Sequence, residues 1–461
     1  MTSRIPGQSL NRRDFLTFGA KTMASAGLIA TAGTLQTALA AATDTSGYKA
    51  LVCVFLSGGN NGFNTIVPTS QNAYDVYRRS RSNLALAQGS LLPLNGTASD
   101  GNSYGLHASC TDLRTLFNAG RVAVLGNVGP LIVPTSKAQF VAGSVPLPPQ
   151  LFSHIDQQIH WWTSNPTSTL RHGWAGRIAD LYTRNGYNPR LAMNINVGGS
   201  NYWQEGSESI PYVLGPGGAP TRVATSSGYR NNLRRDAALA LLNEAGGNPN
   251  IFTSEFTGIE NHARSKVSLV NDAFAQSGTF TTSFQEENGD SGLAAQLRAV
   301  ARTIRARSQI GDSRQIFFVN MGGFDTHNGE LNTQGNLLRM LSRSINAFQS
   351  AMNEIGQQNN VTLFTASDFG RSLGSNGDGS DHAWGNHHLI VGGAVRGGYY
   401  GRMPSLELNG ADDASNGRVL PTTATDQYAA TLAKWFGVAD ADLPVIFPNL
   451  ANFPTRTLGF I

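Results

Sequence analysis

The chain has 461 residues, 40% of them hydrophobic, with 34 Lys and Arg against 30 Asp and Glu for a formal net charge of +4. That length and apolar content can bury a large core and exclude a disordered or fibrous chain. Arg4, Arg12, Arg13 and Lys21 oppose only Asp14 in the first forty residues, a net +3, so the remainder carries +1 and has no basic tract to suggest nucleic acid or an anionic membrane.

Residues 1–42 read as an export signal. Asn11-Arg12-Arg13-Asp14-Phe15-Leu16 is a twin-arginine pattern, an apolar run from Met23 to Leu39 follows, and Ala38-Leu39-Ala40 supplies an A-x-A cleavage site. The run is short and broken by Thr, Ser and Gln36, which favours a cleaved signal over a membrane anchor. The expectation is a periplasmic or secreted protein, exported by the twin-arginine pathway, with no stable membrane anchor after cleavage. Such a compartment permits a disulfide between Cys53 and Cys110, but Cys53 lies inside the apolar run Leu51–Leu56, so buried free thiols are expected instead.

After the signal, short apolar runs at Ala50–Leu56, Arg121–Val128, Leu191–Val197, Gln315–Met321, Val361–Ala366 and His388–Gly392 have the length and β-branched content of buried strands. A helix opens at Ser153-His154-Ile155-Asp156, and apolar stripes of helical period cover Leu293–Arg307 and Thr333–Ile355. Buried strands alternating with amphipathic helices predict an α/β fold: a central, mostly parallel sheet flanked by helices on both faces. Residues 43–461 read as one domain, with polar excursions near 198–229 and 277–291.

Ligands of such sheets sit beyond the carboxyl ends of the strands, and the polar turns of this chain fall there. Gly58-Gly59-Asn60-Asn61-Gly62 follows the first strand, Gly322-Gly323-Phe324-Asp325 follows Gln315–Met321, and Ser367-Asp368 follows Val361–Ala366. Asp325-Thr326-His327 puts two metal-ligand types on one side of an extended turn, where a capping Asp beside a surface His would read the same. Asp368 reads equally as a turn aspartate or a ligand, and Arg371 as a solvated arginine or a clamp for an anionic oxygen. Asp381, His382, His387 and His388 are four ligand-type residues within eight, the densest such cluster in the chain, some of them expected to orient ligands rather than coordinate. Ser153 reads first as a helix N-cap and second as a nucleophile at a helix N-terminus. His107, His160, His172 and His262 lack ligand-type neighbours and are expected to be structural. Phosphate-loop, dinucleotide-loop and G-x-S-x-G patterns do not occur.

Taken in order, the twin-arginine start, LVCVFLSGGNNGFNTIVP, LFSHIDQQ, MGGFDTH, SDFGRS, GSDHAWGNHHLIVGGAVRGG and TDQYAATLAKWFGV resemble the bacterial domain-of-unknown-function 1501 family over essentially the whole mature chain. The resemblance implies an alkaline phosphatase-like fold and, with it, hydrolysis or transfer of phosphate and sulfate esters at a metal centre. It implies a first-strand metal ligand at Asn61 and a nucleophile at Ser153. Asp325 and His327 would hold one ion and Asp368 the other, with His382 and one of His387 or His388 completing the set and Asp381 as ligand or support. Asn61 stands where the family commonly has aspartate, and Asp368 where it commonly has glutamate. The implied cofactor is one or two divalent ions, zinc foremost, with manganese, magnesium or calcium as alternatives, and the implied partner is a small anionic ester. Two other readings stay open: a catalytically degenerate member acting as a secreted binding or accessory protein with one or no metal, and metal-dependent redox chemistry.

Overall fold

The computed structural model describes residues 43–169, 171–218, 250–285 and 292–461, with isolated positions between 233 and 240. The signal expected at residues 1–42 and the excursion residues 219–229 and 286–291 lie outside the described residues. Asp44–Ile461 forms one compact unit.

In chain order the elements that place the site are β1 (Lys49–Leu56), α1 (Gln71–Arg81), β2 (Val122–Gly129), α2 (His154–Thr163), α3 (Trp174–Arg184), β3 (Asn194–Asn196) and β4 (Tyr212–Val213). There follow α4 (Ile251–Gln276), α5 (Leu293–Arg305), β5 (Arg314–Met321), α6 (Glu330–Glu354), β6 (Val361–Ser367), β7 (Arg371–Ser375), β8 (Ser380–His382), β9 (Asn386–Gly392), β10 (Gly398–Tyr400), β11 (Thr423–Ala424) and α7 (Thr425–Phe436).

Among the described residues nine strands make the main sheet in the order β10-β2-β9-β6-β1-β5-β3-β4, with β11 also paired to β2. β1 pairs in parallel with both β5 and β6, and β9 runs antiparallel to its neighbours β6 and β2. The remaining pairings of the sheet are all parallel, so one strand of nine runs against the rest. The carboxyl ends of β1, β5 and β6 therefore meet the amino end of β9 at a single edge of the sheet. All six strands expected from the sequence are found in it.

Side chains alternate across β1 as a pleated strand requires. Val52 and Val54 face Leu297 and Ile304 of α5 and Leu338 and Leu341 of α6, while Leu51, Cys53 and Phe55 face Ile178 and Tyr182 of α3 and Leu432 of α7. Helices thus cover both faces, and the fully apolar reading of the strands follows from burial on two sides. Cys53 and Cys110 are buried and free. Among the described residues no helix is long and apolar enough to cross a membrane.

β7 and β8 form an antiparallel hairpin beyond the end of β6, with Arg371 opposite His382. The turn after β1 packs just as tightly on the turn after β5. Gly58 has φ +113°, and a Cβ built there would lie 2.4 Å from the backbone nitrogen of Asp325, so only glycine fits.

Candidate metal centre

At the common strand edge, Asp325 stands at the middle of three imidazoles. Its Oδ1 lies 3.1 Å from His327 Nε2 and 3.2 Å from His382 Nε2, and its Oδ2 lies 3.5 Å from His154 Nε2. The two Nε2 atoms of His327 and His382 are 2.9 Å apart. His154, Asp325 and His382 offer ligand atoms that all fall within 4.8 Å of one another.

The far side of each ring decides what the near side can do. His154 Nδ1 donates to Asp368 Oδ2 at 2.7 Å, His382 Nδ1 donates to the Phe152 carbonyl at 2.9 Å, and His327 Nδ1 is 3.3 Å from Asp381 Oδ1. All three partners are acceptor-only oxygens, so each neutral ring carries its proton on Nδ1 and turns an Nε2 lone pair towards Asp325. Two lone pairs at 2.9 Å repel unless a proton or a metal cation lies between them. Donors bound tetrahedrally at about 2.0–2.1 Å lie about 3.3–3.4 Å apart, close to the contacts of 3.1, 3.2 and 3.5 Å made by Asp325, while the ligand atoms of His154, Asp325 and His382 as a group span up to 4.8 Å. The donor set fits a divalent ion.

Local structure explains the placement. His154 is the first residue of α2, and the chain reaches it through Phe152, which has φ 74° in the left-handed region. That unusual backbone aims the Phe152 carbonyl at His382. Phe369 packs against both His154 and His382, with ring centroids 4.8 Å and 4.7 Å away, and shields one side of the pair from water. Asp325 remains open to solvent, with its side chain 45% exposed.

The electrostatics follow the contacts. The hydrogen bond to Asp368 raises the pKa of His154 against its burial. Burial pushes Asp325 up, but the Arg371 guanidinium and the neighbouring imidazoles outweigh it and hold the carboxylate below its usual range. Burial lowers His382, keeping that ring neutral. The Asn376 amide, ahead of His327, keeps Asp381 low.

The other expected residues have contacts of their own. Asp368 is fully buried; its Oδ1 accepts from the Gly58 backbone N–H at 3.1 Å and its Oδ2 from Gln158 and His154, so it anchors the His154 imidazole. Arg371 is also fully buried, and its guanidinium is taken up by Asp325 Oδ1 at 2.7 Å, the Gly58 carbonyl and Ser380. Asn61 points away from the cluster: its Oδ1 caps the following turn at Asn64 N, and its Nδ2 donates to Glu330, which also pairs with Arg81 at 2.8 Å and accepts from Ser380. His388 lies in the core against Trp161 and Tyr428, with Nδ1 on the Thr365 hydroxyl, and burial drops its pKa to about 3. His387 accepts from the Asn127 backbone N–H on the opposite face of β9. Ser153 Oγ donates to Asp156 Oδ2 at 2.6 Å, three residues along its own helix.

Residues 206–438, just over half of the chain, match the family described as "Protein of unknown function (DUF1501)". The chain belongs to the DUF1501 family. No curated protein matches it. Among solved structures, this DUF1501 member is similar to the PsFucS1 sulfatase from Pseudoalteromonas sp., at 10% identity over 92% of this chain and 74% of that one, with a TM-score of 0.34. It is also similar to the lipoteichoic acid synthase LtaP from Listeria monocytogenes, at 8% identity over 87% of this chain and 74% of that one, with a TM-score of 0.33. The phosphonate monoester hydrolase of Agrobacterium radiobacter gives 10% identity over 86% of this chain and 77% of that one, with a TM-score of 0.30. Likenesses of this size say nothing about activity.

Sequence reasoning missed His154, which sits beside Ser153 and drew no attention as a lone histidine at a helix start. It also missed Glu330, which ties Asn61, Arg81 and Ser380 together beneath the site. The run Ser-His-x-Asp in LFSHIDQQ held the one usable signal, a histidine at a helix N-terminus flanked by carboxylate chemistry.

Proposed function

We propose that this chain is a metal-dependent hydrolase of phosphate or sulfate esters that acts on a small anionic ester. The convergence of three imidazole Nε2 lone pairs on the Asp325 carboxylate carries the reading. His154, His327, His382 and Asp325 would hold one divalent ion. Zinc suits such a borderline nitrogen-and-oxygen set best, while manganese remains an alternative and magnesium or calcium suits it least. When bound, an ion of this kind polarises an ester oxygen and lowers the pKa of bound water.

The remaining residues support that centre. Asp368 and Asp381 fix the tautomers of His154 and His327, and Arg371 offsets part of the Asp325 charge. With Asn61, His387 and His388 engaged elsewhere, the donors suffice for one ion rather than two. Ser153 belongs to this reading as the nucleophile: its hydroxyl already donates to an acceptor that can draw off the proton, next to a ring of the centre. Export by the twin-arginine pathway completes it, and N-terminal sequencing of the periplasmic protein tests that part.

A second reading, a binding or accessory protein that keeps the ion without catalysis, is favoured by one observation. Arg371, expected to grip an anion, is shut inside the protein. Metal analysis of the purified mature chain, with assays on aryl phosphate, diester and sulfate, separates the two. The hydrolase reading expects about one zinc per chain, turnover of at least one ester, and loss of both in Asp325→Asn. Bound metal with no turnover of any ester leaves the accessory reading; no metal under any condition overturns both. Ser153→Ala then divides nucleophile from cap, because a nucleophile's loss removes turnover and leaves the metal in place.

A further inference from the structure

Antiparallel pairing of β9 with β2 is broken by a bulge: Asn386 lies opposite Val128 and His388 opposite Leu125, which leaves His387 in the irregular step between them. Bulges re-aim side chains. Here Asn127, at φ 50° in the left-handed region, donates its backbone N–H to His387 Nδ1 at 3.1 Å. A backbone N–H can only donate, so Nδ1 is the acceptor and Nε2 carries the ring proton. Burial pushes the His387 pKa down to about 3, so the ring stays neutral, with Phe63 edge-on at 5.0 Å.

That protonated nitrogen has no hydrogen-bond partner among the described residues, although His387 is only 4% exposed. The ring lines a cavity of about 310 Å³ that none of the metal-centre residues lines. Val76, Met403 and Leu406 give this cavity apolar walls, and Asp100, Asn102 and Arg402 stand around it. Arg402 is already paired with Asp412 through two contacts at 2.9 and 2.5 Å, which leaves Asp100 as the charge without a counter-ion; its Oδ2 accepts from Asn102 Nδ2 at 2.8 Å and the Tyr104 hydroxyl at 2.7 Å, and its Oδ1 only from the Asn102 backbone N–H at 3.0 Å.

We propose that this cavity binds a neutral, polyhydroxylated one-ring molecule of the monosaccharide class. The neutral N–H of His387 calls for an acceptor, and Asp100 Oδ1, which holds only the Asn102 backbone N–H, can accept from one more donor. Hydroxyl groups supply both on one small ligand. Apolar walls take the C–H face of a ring, and the residual negative charge disfavours sulfate, phosphate or carboxylate. The volume stands at the lower end of ligand pockets, roughly 300–1,000 Å³, which suits a single ring. The site does not depend on the metal reading, and it stands or falls separately.

Saturation-transfer NMR on the full mature chain tests it, with D-glucose, D-galactose and N-acetylglucosamine as probes at tens of millimolar and inorganic phosphate as the anionic competitor. Transfer to at least one sugar is expected, unaffected by phosphate, together with a shift of the His387 Nε2 nitrogen resonance in the wild-type protein. His387→Phe keeps the ring bulk and loses the donor, so affinity should fall by about tenfold or more, while His387→Gln retains a donor and binding. The wild-type resonance shift keeps the test decisive should His387→Phe fail to fold. No transfer from any of the sugars, displacement by phosphate, or unchanged binding in His387→Phe overturns the proposal.

Discussion

Asp368 shows how a residue can be the right chemical type for one task and be used for another. It carries the carboxylate expected of a ligand, yet three donors surround it and one of them is His154. In Asp368→Asn one acceptor becomes an NH₂ group facing another donor, so His154 loses its anchor. Metal affinity should drop by about 10–100-fold, as measured by titration against a competing chelator, with the fold retained. Asp426 is a separate case. It is fully buried, its Oδ1 has no partner, and burial raises its pKa from 3.8 to about 7. The folded state therefore holds a proton that the unfolded state releases near pH 4, and this contribution to stability is lost as pH rises from about 4 to about 7. Asp426→Asn should flatten that slope, by an amount on the order of a few kcal/mol in unfolding free energy followed across pH. The ligand types Asp325, His327 and His382 could be read from the sequence because each stands beside a strand end or in a dense cluster. His154 could not, because its role depends on the Phe152 backbone angle and on a carboxylate 214 residues away.

At the scale of elements, short apolar runs announced the strands with end errors of at most three residues, the largest at Leu191–Val197, since burial on both faces leaves little else that they could be. The direction of β9 was not legible, because a strand buried on both faces reads the same either way along the chain. That direction and its bulge separate the adjacent histidines: His388 goes into the core and His387 to the opposite face. Hence a pair that looked like one ligand cluster serves two unrelated surroundings. The turns were legible as turns, but not their mutual contact. Gly58→Ala would place a methyl where the Asp325 backbone runs and force a residue with φ +113° out of its preferred range. Unfolding should become easier by more than about 1 kcal/mol, and metal binding should weaken with it because the turn bearing Asp325 must move. Thermal unfolding with and without metal reads both effects.

For the molecule as a whole, layered α/β architecture followed from the alternation of strand and helix patterns, and the two core clusters on either side of β1 bear it out. Long-range pairing, such as Glu330 with Arg81 or Arg371 with Asp325, was invisible because charged residues in a sequence do not disclose which of them will be buried together. An ion bound only by the folded chain should raise the melting temperature in proportion to the logarithm of its free concentration. The gain is about 2.7 kcal/mol when free metal exceeds the dissociation constant about a hundredfold, and a chelator should remove it. Calorimetry across a zinc series checks this, and a melting temperature indifferent to both metal and chelator would count against the centre.

The centre draws His154 from one part of the chain and Asp325, His327 and His382 from another far downstream. A chain still emerging from the ribosome cannot complete this set until residue 382 of 461 has been synthesised. An ion held by such a set could not be gathered piecemeal, as a zinc finger gathers its own. Loading would wait for completed folding, so the metal pool of whichever compartment hosts that last step would decide which ion entered the centre.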